Sequence, residues 1–103
     1  MWREFGLWRE GVKYALDGGL WLHRFTLKGQ QWAHLVSANR AALLEAGRRL
    51  DMPARWLQFR PLKHPQTGEQ VDAWHWDLRA MRLDTAIGLA GPRVPYNGKE
   101  SQT

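Results

Sequence analysis

The sequence predicts an α+β domain: a small antiparallel or mixed sheet of three to four strands packed by two helices, preceded by an N-terminal helical segment. Three observations carry this. Aromatic and branched runs at 20–27 and 71–78 read as strands. Two stretches, 38–50 and 79–90, place apolar residues at helical spacing. A chain of 103 residues, 44% hydrophobic and without cysteine, is long enough to bury one core without disulfides.

Residues 1–19 carry Trp2, Phe5, Trp8, Val12 and Leu16 at spacings of three and four, the pattern of an amphipathic helix ending at Gly18-Gly19. The strand 20–27 follows, with Trp21, His23, Phe25 and Leu27 on one face. Lys28-Gly29-Gln30 turns the chain into a second strand at 31–36, making a hairpin. Ser37 is the expected N-cap of the first core helix, whose inner stripe is Leu43, Ala46, Gly47 and Leu50. Asp51-Met52-Pro53 ends it. Residues 54–60, between Pro53 and Pro61, read as an extended segment, and Thr67-Gly68 as a turn.

In the strand 71–78, alternation sets Trp74 and Trp76 toward a core, with His75 and Asp77 on the other side. Leu83, Ala86, Ile87 and Ala90 mark the second core helix. The organisation expected is an aromatic N-terminal segment (1–19), an α+β domain (20–91) and a tail (92–103).

The formal charge is +5, and 11 of the 15 basic residues are arginine, the side chain suited to bidentate contact with phosphate and carboxylate. Absence of cysteine excludes thiolate metal sites and cysteine nucleophiles. No apolar run approaches the roughly 20 residues of a membrane span, and charged residues interrupt the N-terminus where a signal peptide needs an apolar core. A soluble, cytoplasmic protein is expected.

Trp32-Ala33-His34-Leu35 ahead of a capped helix, Arg55-Trp56-Leu57-Gln58, and His75-Trp76-Asp77-Leu78 ahead of a basic-then-apolar helix together resemble a small domain-of-unknown-function family of bacteria and phages. The likeness covers about residues 20–91. The resemblance implies that His34, Arg55, Trp56, Gln58, His75 and Asp77 belong to one constellation and that a phage-type origin is plausible. It carries no activity. The family's Ser-Lys pair is Met81-Arg82 here, and its early acidic strand residues are replaced by His23-Arg24.

Three functions fit these residues. The first is a binding protein for a nucleotide-like or otherwise phosphorylated anion, with His34, Arg55, Trp56, Gln58, His75, Asp77, Arg79 and Arg82 lining the pocket, acting by sequestration or inhibition in a phage setting. Arginines would hold phosphate and a tryptophan would stack on a base. The second is a small phosphoesterase or metal-dependent hydrolase with His75, His34 and Asp77 as its catalytic groups; the carboxylate raises imidazole basicity. A two-histidine, one-carboxylate metal site can be drawn, although its spacing is not diagnostic and no metal or other cofactor is assigned. The third is an interaction module that inhibits a host enzyme. The aromatic N-terminal segment needs covering, by a second copy, a foreign protein or equally its own sheet, and a homodimer is the single arrangement expected. Duplex DNA is not an expected partner, because neither helix carries a basic outward stripe.

Overall fold

The computed structural model describes residues 2–95. In chain order these form β1 (Trp2–Arg3), α1 (Trp8–Leu16), β2 (Leu20–Leu27), β3 (Gln30–Ser37), α2 (Arg40–Arg49), a 3-10 turn (Ala54–Trp56), β4 (Gln58–Phe59), β5 (Leu62–Lys63), β6 (Gln70–Val71), β7 (Trp74–Arg79) and α3 (Ala80–Leu89). The fold is α+β, as expected from the sequence. The main sheet has five strands in the order β1-β2-β3-β7-β4, and β5 and β6 pair separately. β1 runs parallel to β2, and the other pairs in both sheets are antiparallel.

The β2–β3 hairpin closes through Lys28 (φ 50°) and Gly29 (φ 78°). Two successive residues at positive φ are what a two-residue turn needs to match the twist of its strands. α2 is capped by Asn39, whose side chain accepts from the Ala42 amide at 3.0 Å. Ser37 is instead the last residue of β3 and fully buried, and its hydroxyl accepts from the Asn39 amide at 2.9 Å. The helix begins two residues later than the sequence pattern implied, because β3 continues through Ser37 to pair with Trp74. Its other end is a Schellman motif. Asp51 adopts φ 56°, the Asp51 amide reaches Arg48 O at 3.2 Å and the Met52 amide reaches Gly47 O at 2.8 Å.

Two apolar layers enclose the sheet. On one face Leu20, Leu22, Ala33, Leu35, Trp76 and Leu78 meet Leu43 and Ala46 of α2 and Leu83 and Ala86 of α3. Trp76 has no exposed surface, and its indole donates to Leu43 O at 2.7 Å. Gly47 makes room for that ring: a Cβ there would lie 2.4 Å from Trp76 Cζ2. On the other face a smaller layer joins Val12 and Ala15 of α1 to Trp21 and Val36. α1 therefore covers only one end of the second face.

The N-terminal segment departs from a continuous helix. Trp2 and Arg3 pair with β2, and Phe5 bridges to Val94 before α1 starts at Trp8. Gly6, which weakens a helix at this point, donates to Val94 O at 2.7 Å, and the Val94 amide returns to Glu4 O at 2.8 Å. The start of the expected tail is thus tied to residues 4–6; residues 96–103 of that tail lie outside the described residues. Trp2 is buried and Phe5 packs on Tyr14 with ring centroids 5.1 Å apart. The chain's own sheet and α1 thus cover Trp2 fully and Phe5 in part. Trp8 is the exception, 58% exposed. Among the described residues no helix is long and apolar enough to cross a membrane.

Candidate functional site

Strand register builds the site row by row on the face that α1 covers only in part. Directly paired residues point to the same side of a sheet. Trp21, Val36, His75 and Gln58 form one row. His23, His34 and Asp77 form the next, and Phe25, Trp32 and Arg79 the third. Apolar side chains hold the first row under α1. The other two rows, with His75 and Gln58, make a polar and aromatic surface.

At its centre is Asp77. Its Oδ2 accepts from Gln58 Nε2 at 2.6 Å. Its Oδ1 lies 3.1 Å from His34 Nε2 and 3.2 Å from His75 Nε2. Oδ1 is buried and makes no well-formed hydrogen bond with either imidazole. The two imidazoles stack with centroids 4.3 Å apart and planes 22° apart. His75 is buried, whereas about a third of the His34 side chain is exposed. Phe25 packs 4.7 Å from the other side of His34, and His23 stands between Trp8 and His34 at 4.8 and 6.4 Å.

Burial is the main cause that holds all three imidazoles below the ordinary histidine value of 6.5. At His34 the neighbouring His75 and Arg60 add to the lowering, and the Asp77 carboxylate opposes it. At His75 the carboxylate again opposes and Arg60 adds. At His23 the second cause is His34. These histidines are therefore neutral near pH 7. The unfolded chain binds more protons than the folded one below 6.5, so the stability they contribute is present in full above that value. It is lost as the pH falls from there through the lowered folded values. Urea midpoints of the metal-free chain should accordingly be lower at pH 5 than at pH 7.5. A midpoint that does not change over this range would contradict three imidazoles held neutral by the fold.

The structure brings His34, Gln58, His75 and Asp77 together, with Arg79 on the same face, stacked 5.2 Å above Trp32. It places Arg55, Trp56 and Arg82 elsewhere. Arg82 lies on α3 and donates to Leu50 O at 3.2 Å and Asp51 O at 3.1 Å, bracing the end of α2 on the helical side of the sheet. Trp56 is exposed beside it, flanked by the Arg82 and Arg55 guanidiniums at 5.4 and 6.0 Å. The 3-10 turn interrupts the extended segment expected at 54–60 and puts Trp56 out of step with Gln58.

Two contributors were not in the residue set expected from the sequence. Arg60 follows Gln58 by two, its amide bonds to Ala73 O at 2.7 Å, and its charge acts on both His34 and His75. His23 is placed by its pairing with His34. Alternation along β2 would have indicated His23, once the strand order was known. A cavity of about 390 Å³, lined in part by Trp8, Trp21, His23 and Arg24, adjoins this row. A larger depression of about 930 Å³ lies at the end of α2 and the start of α3, where Arg49, Arg79 and Arg82 are interspersed with Asp51 and Asp84 and no imidazole is present.

No protein-family model, curated protein or solved structure matches this chain.

Proposed function

We propose that this protein binds a nucleotide-like phosphorylated ligand on the open half of the second sheet face. The observation that carries the reading is the meeting of Gln58, His34, His75 and Asp77 on the half that α1 leaves uncovered. Arg60 and Arg79 stand against the carboxylate of Asp77, and Arg24 and Arg93 against Glu4 at the adjoining cavity, a cationic excess that favours an anion. At the β2 end, Trp8 and His23 border a cavity of about 390 Å³, within the usual range for small-ligand pockets. β2 and β4 are three strand spacings apart, roughly 14 Å. A ligand with an aromatic base near Trp8 and phosphate near Arg60 would span that distance.

The hydrolase reading stays beside this one because of Asp77 Oδ1, a buried carboxylate oxygen close to two imidazoles without a well-formed hydrogen bond. A thermal-shift series with nucleoside mono- and diphosphates separates the two. At ligand concentrations near 100 times Kd, a binder gains about 2.7 kcal/mol. For a domain of this size that raises Tm by roughly ten degrees or more. Recovery of the nucleotide intact supports the binder, and its conversion to nucleoside and phosphate supports the hydrolase. If no phosphorylated compound shifts Tm, the anionic-ligand reading is dropped and an inhibitory protein–protein contact takes its place.

A further inference from the structure

We infer that His34, His75 and Asp77 form a binding site for a divalent first-row transition-metal ion, zinc being the best fit. One atom from each of the three side chains lies within 4.8 Å of the other two, the arrangement a shared ion requires. The two short separations can be compared with metal geometry. Ligands about 2.0–2.1 Å from zinc at tetrahedral angles stand about 3.3 Å from each other. The observed Nε2–Oδ1 separations are 3.1 and 3.2 Å.

The unsatisfied Oδ1 favours an ion over a plain His–Asp pair. In a pair, the imidazole N–H points at the carboxylate oxygen. Here Oδ1 is buried within 3.2 Å of both Nε2 atoms and makes no well-formed hydrogen bond. Such an oxygen is costly unless something else satisfies it. An ion held by all three atoms would do so.

The surrounding groups fit the same role. Gln58 takes Oδ2 at 2.6 Å, turning the carboxylate so that Oδ1 faces the imidazoles. Polar groups that orient a metal-bound carboxylate in this way are a regular part of metal sites. Stacking of His34 on His75, with Phe25 behind His34, restrains both rings. Two imidazoles and one carboxylate suit zinc, iron or nickel better than magnesium or calcium, which prefer oxygen ligands alone. Three protein ligands leave at least one position for water or a phosphoryl oxygen. The inference thus deepens the reading of this face as a ligand site: the ion would receive the phosphate that Arg60 attracts.

Calorimetric titration of the full metal-free chain with Zn²⁺, with Co²⁺ absorption in parallel, tests it. One ion per chain is expected, undisturbed by excess Mg²⁺. His34→Ala and Asp77→Asn should each weaken Zn²⁺ binding by at least roughly 100-fold and Gln58→Ala by about 10-fold. His64→Ala should leave it unchanged, since that ring accepts from the Gln66 and Thr67 amides in the β5–β6 turn. His75 is kept because it is buried at the centre of the sheet. Should a variant unfold, paramagnetic shifts in the Co²⁺-loaded unmodified chain decide: shifts at His34 and His75 support the site, and shifts at His64 alone overturn it. No Zn²⁺ binding, or binding that survives both His34→Ala and Asp77→Asn, also overturns it. The proposed function fails separately. A chain that binds Zn²⁺ but is not stabilised by nucleotide, with or without the ion, keeps the metal site and loses the ligand. A chain stabilised by nucleotide that takes no Zn²⁺ does the reverse.

Discussion

Trp76→Ala is expected to destabilise the protein by about 3–5 kcal/mol, the usual range for removing a large aromatic from a core. Trp76 is the largest side chain on the helical face with no exposed surface, and it packs against Gly47 where α2 crosses the sheet. The substitution also removes the bond from its indole to Leu43 O. Total stability for a domain of this length is about 5–15 kcal/mol. The loss should therefore lower Tm by roughly 15 degrees or more, read by urea and thermal denaturation. The consequence reaches the site, because β7 carries His75 and Asp77 between the anchors Trp74, Trp76 and Leu78. Trp8→Ala, at an exposed position, should change stability by less than about 1 kcal/mol.

Arg60→Ala is expected to weaken nucleotide binding by about 10–100-fold while changing stability by less than about 0.5 kcal/mol. The binding estimate follows from one hydrogen bond to a charged group, worth about 1.5–3 kcal/mol. The small stability effect follows from exposure of the side chain. Arg82→Ala should behave in the opposite way. Its guanidinium braces Leu50 O and Asp51 O, so its loss costs stability and leaves affinity within about two-fold of the original. Calorimetric titration with a nucleoside monophosphate, paired with denaturation of both variants, reads the contrast. A loss of affinity confined to Arg82→Ala would place the ligand on the other side of the sheet, at Trp56.

These contrasts show where the sequence was legible. Period-two alternation along β7 separates Trp76 from His75 and Asp77 without any tertiary information, and the structure keeps that division. The same rule places His34 opposite Asp77, given that β3 and β7 are neighbours. Local patterning could not supply that adjacency, because the strands are about 40 residues apart in sequence and β7 enters beside β3 only after α2 and the β5–β6 hairpin. Arg55 and Trp56 were grouped with the histidines through the family resemblance, and Arg82 as an arginine close to the histidine strand in sequence. Their true position depends on the 3-10 turn after Pro53 and on Arg82 finding the free carbonyls at the end of α2. Arg60 escaped because β4 is only two residues long, too short for periodicity to register. The β1 pairing was hidden for the same reason: helical spacing of Trp2, Phe5 and Trp8 coexists with a strand of two residues.

Ligand is expected to meet this protein on the His34–His75–Asp77 face. Side-chain and amide NMR during titration with a nucleoside monophosphate tests it most directly. Perturbations are expected to concentrate at His23, His34, Gln58, Arg60, His75 and Arg79, with little change at Trp56 and Arg82. Perturbations centred on Arg55, Trp56 and Arg82, or none at saturating nucleotide, would contradict it.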